Sequence, residues 1–506
     1  MGKSLVDVTG YYLGHHSAFP ECNEPEDFPQ GQSLILKIGS VEYLFKAHPD
    51  EGVFCGLWER DGESFTEVDT SGMLPLLSTP DPNYNNFTLA DRRYNTPDTS
   101  DWRFTPDGEL LIIGGSVLPD VEPASSFYGY KMLVFKKDPS SLVYNVLLPA
   151  QQPAQPYPAY WHDYTTPVSS YGNAGSRTKI AISSDGQYMV AGFMLRWLRE
   201  DYMVAEWYPQ WRFYKRNGDT FDLLRTVSWT TAEKHFVSTI VFSPDTKFVA
   251  VGIGSGLYGY EGAPGAPFFF YERDVDSFND VDLTSQFGSD EGPMCHSLTW
   301  ANDFLIVGRG EAVGDVKPCF EVFKFEAEPN PVFTSIFTLK RSENELPAAG
   351  NHYNSYSAIN AAISPCTEYF VFCHPDREAK QGALMEQYQL YKRDGEIFTK
   401  QDVDHIQRSD NGYYGGGDQQ FSPFYLDFIE DGKFLWAGLI KLFSTSAEPS
   451  EIPYSYALFK TDLVPPPNFS AVAEEITHNS AKVQWDEVAG VEGYEIRYLE
   501  LVPEEE

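Results

Sequence analysis

A two-part phrase recurs along most of this chain and constrains the fold more than any other feature. Its second part is an aromatic strand pattern, a charged tight turn, and a Phe that opens the next strand pattern. Clear copies occur at 56–65, 213–221, 271–278 and 391–398, and looser copies at 134–139, 323–329 and 457–462. Internal repetition of this kind predicts an array of similar structural units.

The first part of the phrase is an apolar strand pattern, a short polar turn, and an apolar run that ends in small residues. Thr105 to Gly108 leads into the run 110–113, and Ser183 to Gly186 leads into 188–191. Asp-Gly and Pro-Asp turns of this type are typical of hairpins. Continuous apolar runs indicate strands buried on both faces. Each unit is therefore predicted to hold four antiparallel strands, and seven units fit between Leu34 and Leu463.

This organisation resembles a seven-bladed β-propeller of the WD40-like kind, although the Gly-His and Trp-Asp marks of true WD40 repeats are absent. The seventh unit has three strand patterns before a Pro-rich linker at 465–468, whereas the N-terminal segment belongs to no unit. We therefore expect residues 1–464 to form the propeller, with residues 4–9 completing its last blade.

Beyond the linker, residues 469–506 are similar to the start of a fibronectin type III domain. Trp485 on a second strand pattern and Tyr494 on a third carry this resemblance. A sandwich of this kind has roughly seven strands, so we expect these to be its first strands, with the domain continuing beyond residue 506. The predicted fold class is all-β throughout.

The chain is strongly acidic, with 73 Asp and Glu against 37 Lys and Arg and a formal charge of −36. This balance argues against binding nucleic acid, which requires clustered cations. It favours a solvated acidic surface, with bound calcium as the alternative. The densest acidic run is Asp274, Asp276, Asp280 and Asp282, but it does not match a calcium-binding loop, and we predict no metal site.

The six cysteines contain no Cys-x-x-Cys pair, so neither a zinc site nor a disulfide framework is indicated. Apolar runs fall short of the roughly 20 residues of a membrane helix. The first residues also lack the apolar stretch of a secretory signal, so we expect synthesis in a cytoplasm without secretion.

Loop lengths give the best indication of a binding surface. The turns within each hairpin are short, whereas connections such as 148–178, 195–210, 340–360 and 404–424 are long and meet at the opposite end of the blades. Rigid aromatic side chains in long loops suit recognition of a glycan or a protein, or they pack the loops together. The candidate ligand-binding residues are Tyr157, Tyr160, Trp161, His162, Tyr164, Trp197, Trp207, Tyr258, Tyr260, His352, Tyr353, Tyr356, Tyr413 and Tyr414.

The motifs of known catalytic sites are not found. There is no Gly-x-Ser-x-Gly elbow, no His-Glu-x-x-His helix and no phosphate loop. His235, His296 and His352 precede innermost strands and could converge, but their spacing to the next turn differs. The sequence therefore predicts a protein that is not an enzyme and needs no cofactor.

An acidic propeller joined to a fibronectin-like module without a secretion signal resembles structural proteins of bacteriophages. This resemblance implies a virion protein, on a tail or as a capsid decoration, made in the host cytoplasm and present in many copies. Its partners would be other virion proteins or a host-surface glycan or protein, with no nucleic acid and no membrane insertion. The alternatives are a cellular scaffold that binds protein partners and, less favoured, a propeller enzyme of the lyase or lactonase type.

Overall fold

The fold is all-β in the residues that can be described. A computed structural model describes residues 5–7, 32–38, 41–47, 54–61, 64–68, 101–114, 132–141, 144–154, 178–198, 205–229, 235–255, 268–287, 295–309, 318–328, 330–340, 360–373, 388–401, 403, 421–429, 432, 434–441, 456–461, 472–474 and 482–484. Within them, the helical segments are a 3-10 turn at Pro149–Gln151 and a single α-turn at Thr284–Phe287.

The described strands form seven four-stranded antiparallel sheets, numbered here along the chain. Strand β1 (Leu5–Asp7) precedes the first sheet in sequence. The first sheet contains β2 (Gln32–Ile38), β3 (Val41–Ala47), β4 (Phe54–Asp61) and β5 (Ser64–Val68). The second contains β6 (Asp101–Phe104), β7 (Leu110–Gly114), β8 (Met132–Lys137) and β9 (Tyr144–Val146). The third contains β10 (Thr178–Ile182), β11 (Tyr188–Leu198), β12 (Ala205–Asn217) and β13 (Thr220–Ser228).

The remaining sheets repeat this order. The fourth contains β14 (His235–Phe242), β15 (Phe248–Ser255), β16 (Phe268–Asp274) and β17 (Ser277–Asp280). The fifth contains β18 (Cys295–Ala301), β19 (Phe304–Arg309), β20 (Pro318–Glu326) and β21 (Val332–Lys340). The sixth contains β22 (Asn360–Ile363), β23 (Tyr369–Cys373), β24 (Tyr388–Asp394) and β25 (Ile397–Lys400). The seventh contains β26 (Phe421–Ile429), β27 (Phe434–Lys441) and β28 (Tyr456–Thr461).

Strand β1 supplies the fourth strand of the seventh sheet. It runs antiparallel to β28, with Leu5 opposite Thr461 and Asp7 opposite Phe459. The first strands of consecutive sheets contact each other from β6 through β26, and β2 contacts β26 and β27. The sheets therefore succeed one another around their first strands, which is a propeller-like arrangement.

The core lies in layers between consecutive sheets, because both faces of the middle strands are apolar. All five residues of β7 are buried, and so are the first four of β8. Stacked rings join one sheet to the next, with Phe213 against Phe278 at 4.5 Å and Phe337 against Phe398 at 4.5 Å between ring centroids. Burial on both faces explains why the sequence shows continuous apolar runs rather than alternation.

Glycines in the second strands let neighbouring sheets approach closely. A Cβ on Gly114 would lie 2.5 Å from Thr178 Cγ2, and one on Gly192 would lie 2.4 Å from Val237 Cγ1, in each case a side chain of the next sheet. Hydrogen bonds between sheets reinforce this approach, since the Ile180 amide donates to Asp101 Oδ2 at 2.8 Å. The small residues that end each apolar run are therefore required by packing between sheets.

Two expectations from the sequence need correction or limitation. The span 195–210 is not a loop throughout, because β11 extends to Leu198 and β12 begins at Ala205, paired in register. C-terminal to the propeller-like part, β29 (Val472–Glu474) and β30 (Lys482–Gln484) form an antiparallel pair. Trp485 and Tyr494, which carry the fibronectin resemblance, lie outside the described residues.

Candidate functional site

Most of the aromatic residues predicted to bind a ligand lie outside the described residues. Trp197 and Trp207 are the exceptions, at adjacent register positions where Trp197 is opposite Glu206 and Arg196 is opposite Trp207. They therefore belong to a long paired hairpin rather than to a loop. The others outside the described ranges are Tyr157, Tyr160, Trp161, His162, Tyr164, Tyr258, Tyr260, His352, Tyr353, Tyr356, Tyr413 and Tyr414.

The structure describes the positions of two of the three histidines that were expected to converge. His235 begins β14 and His296 lies in β18, on neighbouring first strands, whereas His352 is outside the described residues. Among the residues that the structure describes, no group of three or more His, Cys, Asp or Glu side chains could hold a metal ion. None of the helical segments described is long and apolar enough to cross a membrane.

The best-described surface is the turn face, the end of the sheets that carries the short hairpin turns. Its inner turns, at 105–109, 183–187, 243–247 and 364–368, share a Ser or Thr hydroxyl that accepts from the amide five residues later. The first three of these turns add an Asp two residues after the hydroxyl, whereas the fourth has Cys366 there. In the third sheet, Ser183 Oγ donates to Asp185 Oδ1 at 2.5 Å, and the same carboxylate accepts the Gln187 amide at 2.9 Å. The repeated Ser-x-Asp phrase is therefore turn chemistry.

Positive backbone φ angles explain the Gly that ends this phrase. Gly186 has a φ of 68° and Gly108 a φ of 67°, and Thr246 and Thr367 adopt 61° and 58° at the matching positions. Because positive φ is costly for β-branched residues, two sheets hold some backbone strain where others have Gly.

Ion pairs connect one sheet to the next across the turn face. Arg216 of the third sheet donates to Asp107 Oδ2 at 2.5 Å and to Glu109 Oε2 at 3.0 Å, both in the second sheet. Burial alone would raise the pKa of Asp107, but hydrogen bonds from Thr105 and Arg216 outweigh it and lower that pKa below 3.8. A second ion pair has the cation in the second sheet and the acid in the third: Lys136 pairs with Asp219 at 2.5 Å.

The acidic run of the fourth sheet takes part in the same pairing. Asp276 accepts hydrogen bonds from Lys215 Nζ at 2.7 Å and from the Tyr188 hydroxyl at 2.8 Å, and both donors belong to the third sheet. The bond from Lys215, followed by that from Tyr188, lowers the pKa of Asp276, and the bond to Asp276 raises the pKa of Lys215. Asp280 pairs with Arg225 at 2.5 Å, so these carboxylates hold the sheets together.

The Arg of the hairpin phrase has a further structural role in the fourth and sixth sheets. Arg273 lies over the Tyr188 ring at 4.5 Å, and Arg393 lies over the Phe304 ring at 4.4 Å, in each case in the preceding sheet. Each guanidinium also donates to the backbone of its own turns, at Thr246 and Thr367 respectively. The recurrent charged turn is therefore a joint between sheets.

These charges suit contacts better than proton transfer. Asp107 and Asp276 have lowered pKa values, so both remain ionised at neutral pH and act as fixed hydrogen-bond acceptors. Arg216, which donates to Asp107, is also held by the Gly218 carbonyl, to which its Nε donates at 3.0 Å. The charged side chains of the turn face are thus largely engaged in contacts between sheets.

Neither a protein-family model nor a curated protein matches the chain. Solved structures do match, and the three described next have low similarity to the chain. A periplasmic gluconolactonase from Pseudomonas aeruginosa is 12% identical, with a TM-score of 0.40, over 80% of this chain and 92% of its own. A Bacteroides uniformis protein named as a 6-phosphogluconolactonase is 13% identical, with a TM-score of 0.36, over 72% and 81%. The WD40 repeats of RRP9 are 11% identical, with a TM-score of 0.31, over 71% and 94%.

The comparison contradicts the prediction that the protein is not an enzyme. Two of these structures belong to proteins named as lactonases, so missing sequence motifs did not justify excluding catalysis. Catalytic residues of a repeat fold can come from several units, and a search for local motifs misses such sets. At this similarity the likeness concerns the fold alone and assigns no activity to this chain.

Sequence reasoning missed the joints between sheets. The signal was present, because Lys-Arg pairs at 215–216 and 392–393 stand in the hairpin phrase while acids stand in the turns of neighbouring units. The pairing cannot be recognised within a single unit, because the partners of Arg216 are more than one hundred positions away in the chain.

Proposed function

We propose that the seven sheets form one closed, seven-bladed ring that serves as a binding platform on a virus particle, as a component of a phage tail or capsid surface. The observation that supports a platform most directly is the joining of successive sheets by glycine contacts and ion pairs. A ring built this way keeps its faces rigid, and rigid surfaces lose little entropy when they bind.

Closure of the ring is the first part of this proposal, and the pairing of β1 with β28 supports it. Removing residues 1–12 should expose the edge of β28 and lower the melting temperature by several degrees. The measurement is thermal unfolding followed by circular dichroism at two protein concentrations. An unchanged melting temperature would overturn the closed ring.

The virion role is the second part. It is supported by the acidic composition and by the fibronectin-like residues that follow the propeller-like part. Labelling of native particles with an antibody against this chain, followed by electron microscopy, should place many copies on a tail or capsid. Absence of the chain from purified particles would favour the alternative, a cellular scaffold propeller that binds protein partners.

Recognition is the third part, and we assign it to the end of the sheets opposite the turn face. The sequence predicts long connections there with aromatic residues such as Trp161 and Tyr164, and rigid scaffolds usually carry binding residues in such connections. A glycan array with host-surface sugars should give signal for the intact chain that Trp161→Ala weakens. A signal that survives this substitution, or no signal at all, would remove glycan binding from the proposal.

A further inference from the structure

Exposed aliphatic side chains stand on the outer turns of three consecutive sheets. Val275, Val332 and Ile397 are 75%, 42% and 69% exposed. Each lies at or next to the turn between the third and fourth strands, so all three belong to the turn face. We call this set the aliphatic rim. Single exposed apolar side chains are common on protein surfaces, but these three recur at the same turn of consecutive sheets, which places them on one surface that another molecule can contact.

Packing beneath the rim fixes its position. Val332 and Ile397 each precede a Phe that points into the core, and those rings join neighbouring sheets: Phe333 lies 5.1 Å from Phe270, and Phe398 lies 4.5 Å from Phe337. Since side chains alternate along a strand, anchoring the Phe inward holds its neighbour outward. The rim is therefore held by the core.

Val275 is the most informative member. Its φ is 51°, whereas the matching positions in the third and sixth sheets are Gly218 and Gly395, each with a φ of 61°. A β-branched residue is disfavoured in this conformation, and the scaffold uses only the backbone carbonyl of Val275, which accepts from Tyr188 and Arg273. The side chain thus adds strain and exposure without supporting the fold, which points to a role outside it.

Unpaired acids flank the rim and indicate the charge of what covers it. Asp274 and Glu396 are exposed and adjoin Val275 and Ile397, and within the described residues neither carboxylate forms an ion pair. Elsewhere on the turn face, acids such as Asp107 and Asp219 are already paired with cations of a neighbouring sheet. A second copy of this chain would bring another −36 charges to the surface, which disfavours self-association.

We propose that the aliphatic rim is a docking surface for a different protein, one that presents apolar side chains flanked by Lys or Arg. The apolar groups would cover Val275, Val332 and Ile397, and the cations would pair with Asp274 and Glu396. This surface lies at the turn face, whereas the aromatic connections are predicted from the sequence to lie at the other end of the sheets, so the proposal does not depend on the virion role or on glycan binding.

The test uses the full chain and a random peptide library displayed on filamentous phage. Selected peptides are synthesised, and their affinities are measured for the wild type, the double variant Val275→Gly with Ile397→Thr, and Leu148→Ser. Leu148 is 59% exposed but follows β9 of the second sheet, so it is a matched control away from the rim. Thermal unfolding confirms that each variant is folded.

We expect the selected peptides to combine Lys or Arg with aliphatic or aromatic residues. Their affinity should fall about tenfold or more in the double variant and stay unchanged in Leu148→Ser, because the energy of an interface is concentrated in a few contacts. Peptides without basic residues, equal affinity for the double variant, or failure to select any peptide would each overturn the proposal. Sedimentation velocity gives a further arm: self-association that the double variant abolishes would assign the rim to a second copy instead.

Discussion

Neighbouring sheets are joined differently near the first strands and at the turn face. Near the first strands, glycines such as Gly114 and Gly192 let side chains of the next sheet lie directly on the backbone. At the turn face, charged side chains such as Lys215 and Asp276 meet while each remains about two-fifths exposed. The first kind of joint tolerates almost no change in volume, whereas solvent weakens the second kind.

This difference separates the residues that determine stability from those that determine the surface. Dense packing makes an added methyl costly, while an exposed ion pair contributes little net free energy. We therefore expect substitutions near the first strands to unfold the protein, and substitutions at the turn face to change its charge and binding with small effects on folding. The following predictions test that separation in order of decreasing effect.

The largest effect should come from Gly192→Ala. The new methyl would lie 2.4 Å from Val237 Cγ1 and 2.7 Å from its Cβ, so the third and fourth sheets must move apart. We expect a loss of about 3 kcal/mol in unfolding free energy, measured by urea titration. Gly395→Ala is the matched control, since nothing lies within 4 Å of its added methyl and only its φ of 61° opposes it. A smaller loss for Gly192→Ala than for the control would break the comparison.

Tyr271→Phe should have the next largest effect. Trp211 Nε1 donates to the Tyr271 hydroxyl at 3.0 Å, and both side chains are almost fully buried between the third and fourth sheets. Removing the hydroxyl leaves a buried indole N–H without its acceptor, which costs about 1–2 kcal/mol. Chemical denaturation monitored by tryptophan fluorescence measures this. If the variant is as stable as the wild type, water must replace the hydroxyl as the acceptor of the Trp211 N–H.

Val275→Gly should stabilise the protein. Relief of the strain at a φ of 51° outweighs the entropy that Gly loses on folding, for a net gain of roughly 0.5–1 kcal/mol. The gain is measured as a higher melting temperature. Val332→Thr serves as the control, because it removes exposed apolar surface without a change at a positive φ. A lower melting temperature for Val275→Gly would mean that the side chain does support the fold.

The smallest effect should come from Asp276→Asn, and it should depend on pH. The pKa of Asp276 is lowered in the fold, so its contribution is complete above 3.8 and is lost as the pH falls through the folded value. Lys215 has a raised pKa, so its contribution is lost as the pH rises above 10.5. We expect the wild type to lose more stability than the variant between pH 5 and pH 3. Parallel curves of melting temperature against pH would show that this pair contributes nothing.

Strand order and turn chemistry were accessible from the sequence because they are local. The Thr105 to Gly108 and Ser183 to Gly186 phrases predicted hairpins, and the all-β, propeller-like fold is supported by the sheets that these hairpins form. The apolar run 110–113 predicted a strand buried on both faces, and its residues are buried. In these cases the residues that cause the turn or the strand are all close together in the sequence.

Contacts between units could not be predicted in the same way. Nothing near Asp107 in sequence indicates that Arg216 will bond to it, because their approach depends on how two sheets stack. The β11–β12 pairing extends beyond the apolar run 188–191 into residues that were predicted as a loop, because pairing of those residues depends on the partner strand rather than on a local apolar pattern. The binding role of the candidate aromatic residues outside the described ranges remains a prediction. The prediction that the protein is not an enzyme rested on missing motifs, and the comparisons contradict it.

The pairing of β1 with β28 also has a consequence for biosynthesis. Leu5 leaves the ribosome early, but its partner Thr461 is made only after most of the 506 residues have been translated. Until then, the edges of β1 and of the growing array are open to wrong partners. Such a contact between distant parts of the chain makes folding slow. The final assembly step should therefore await synthesis of β28, and a nascent chain stalled before residue 456 should be sensitive to protease at its N-terminus.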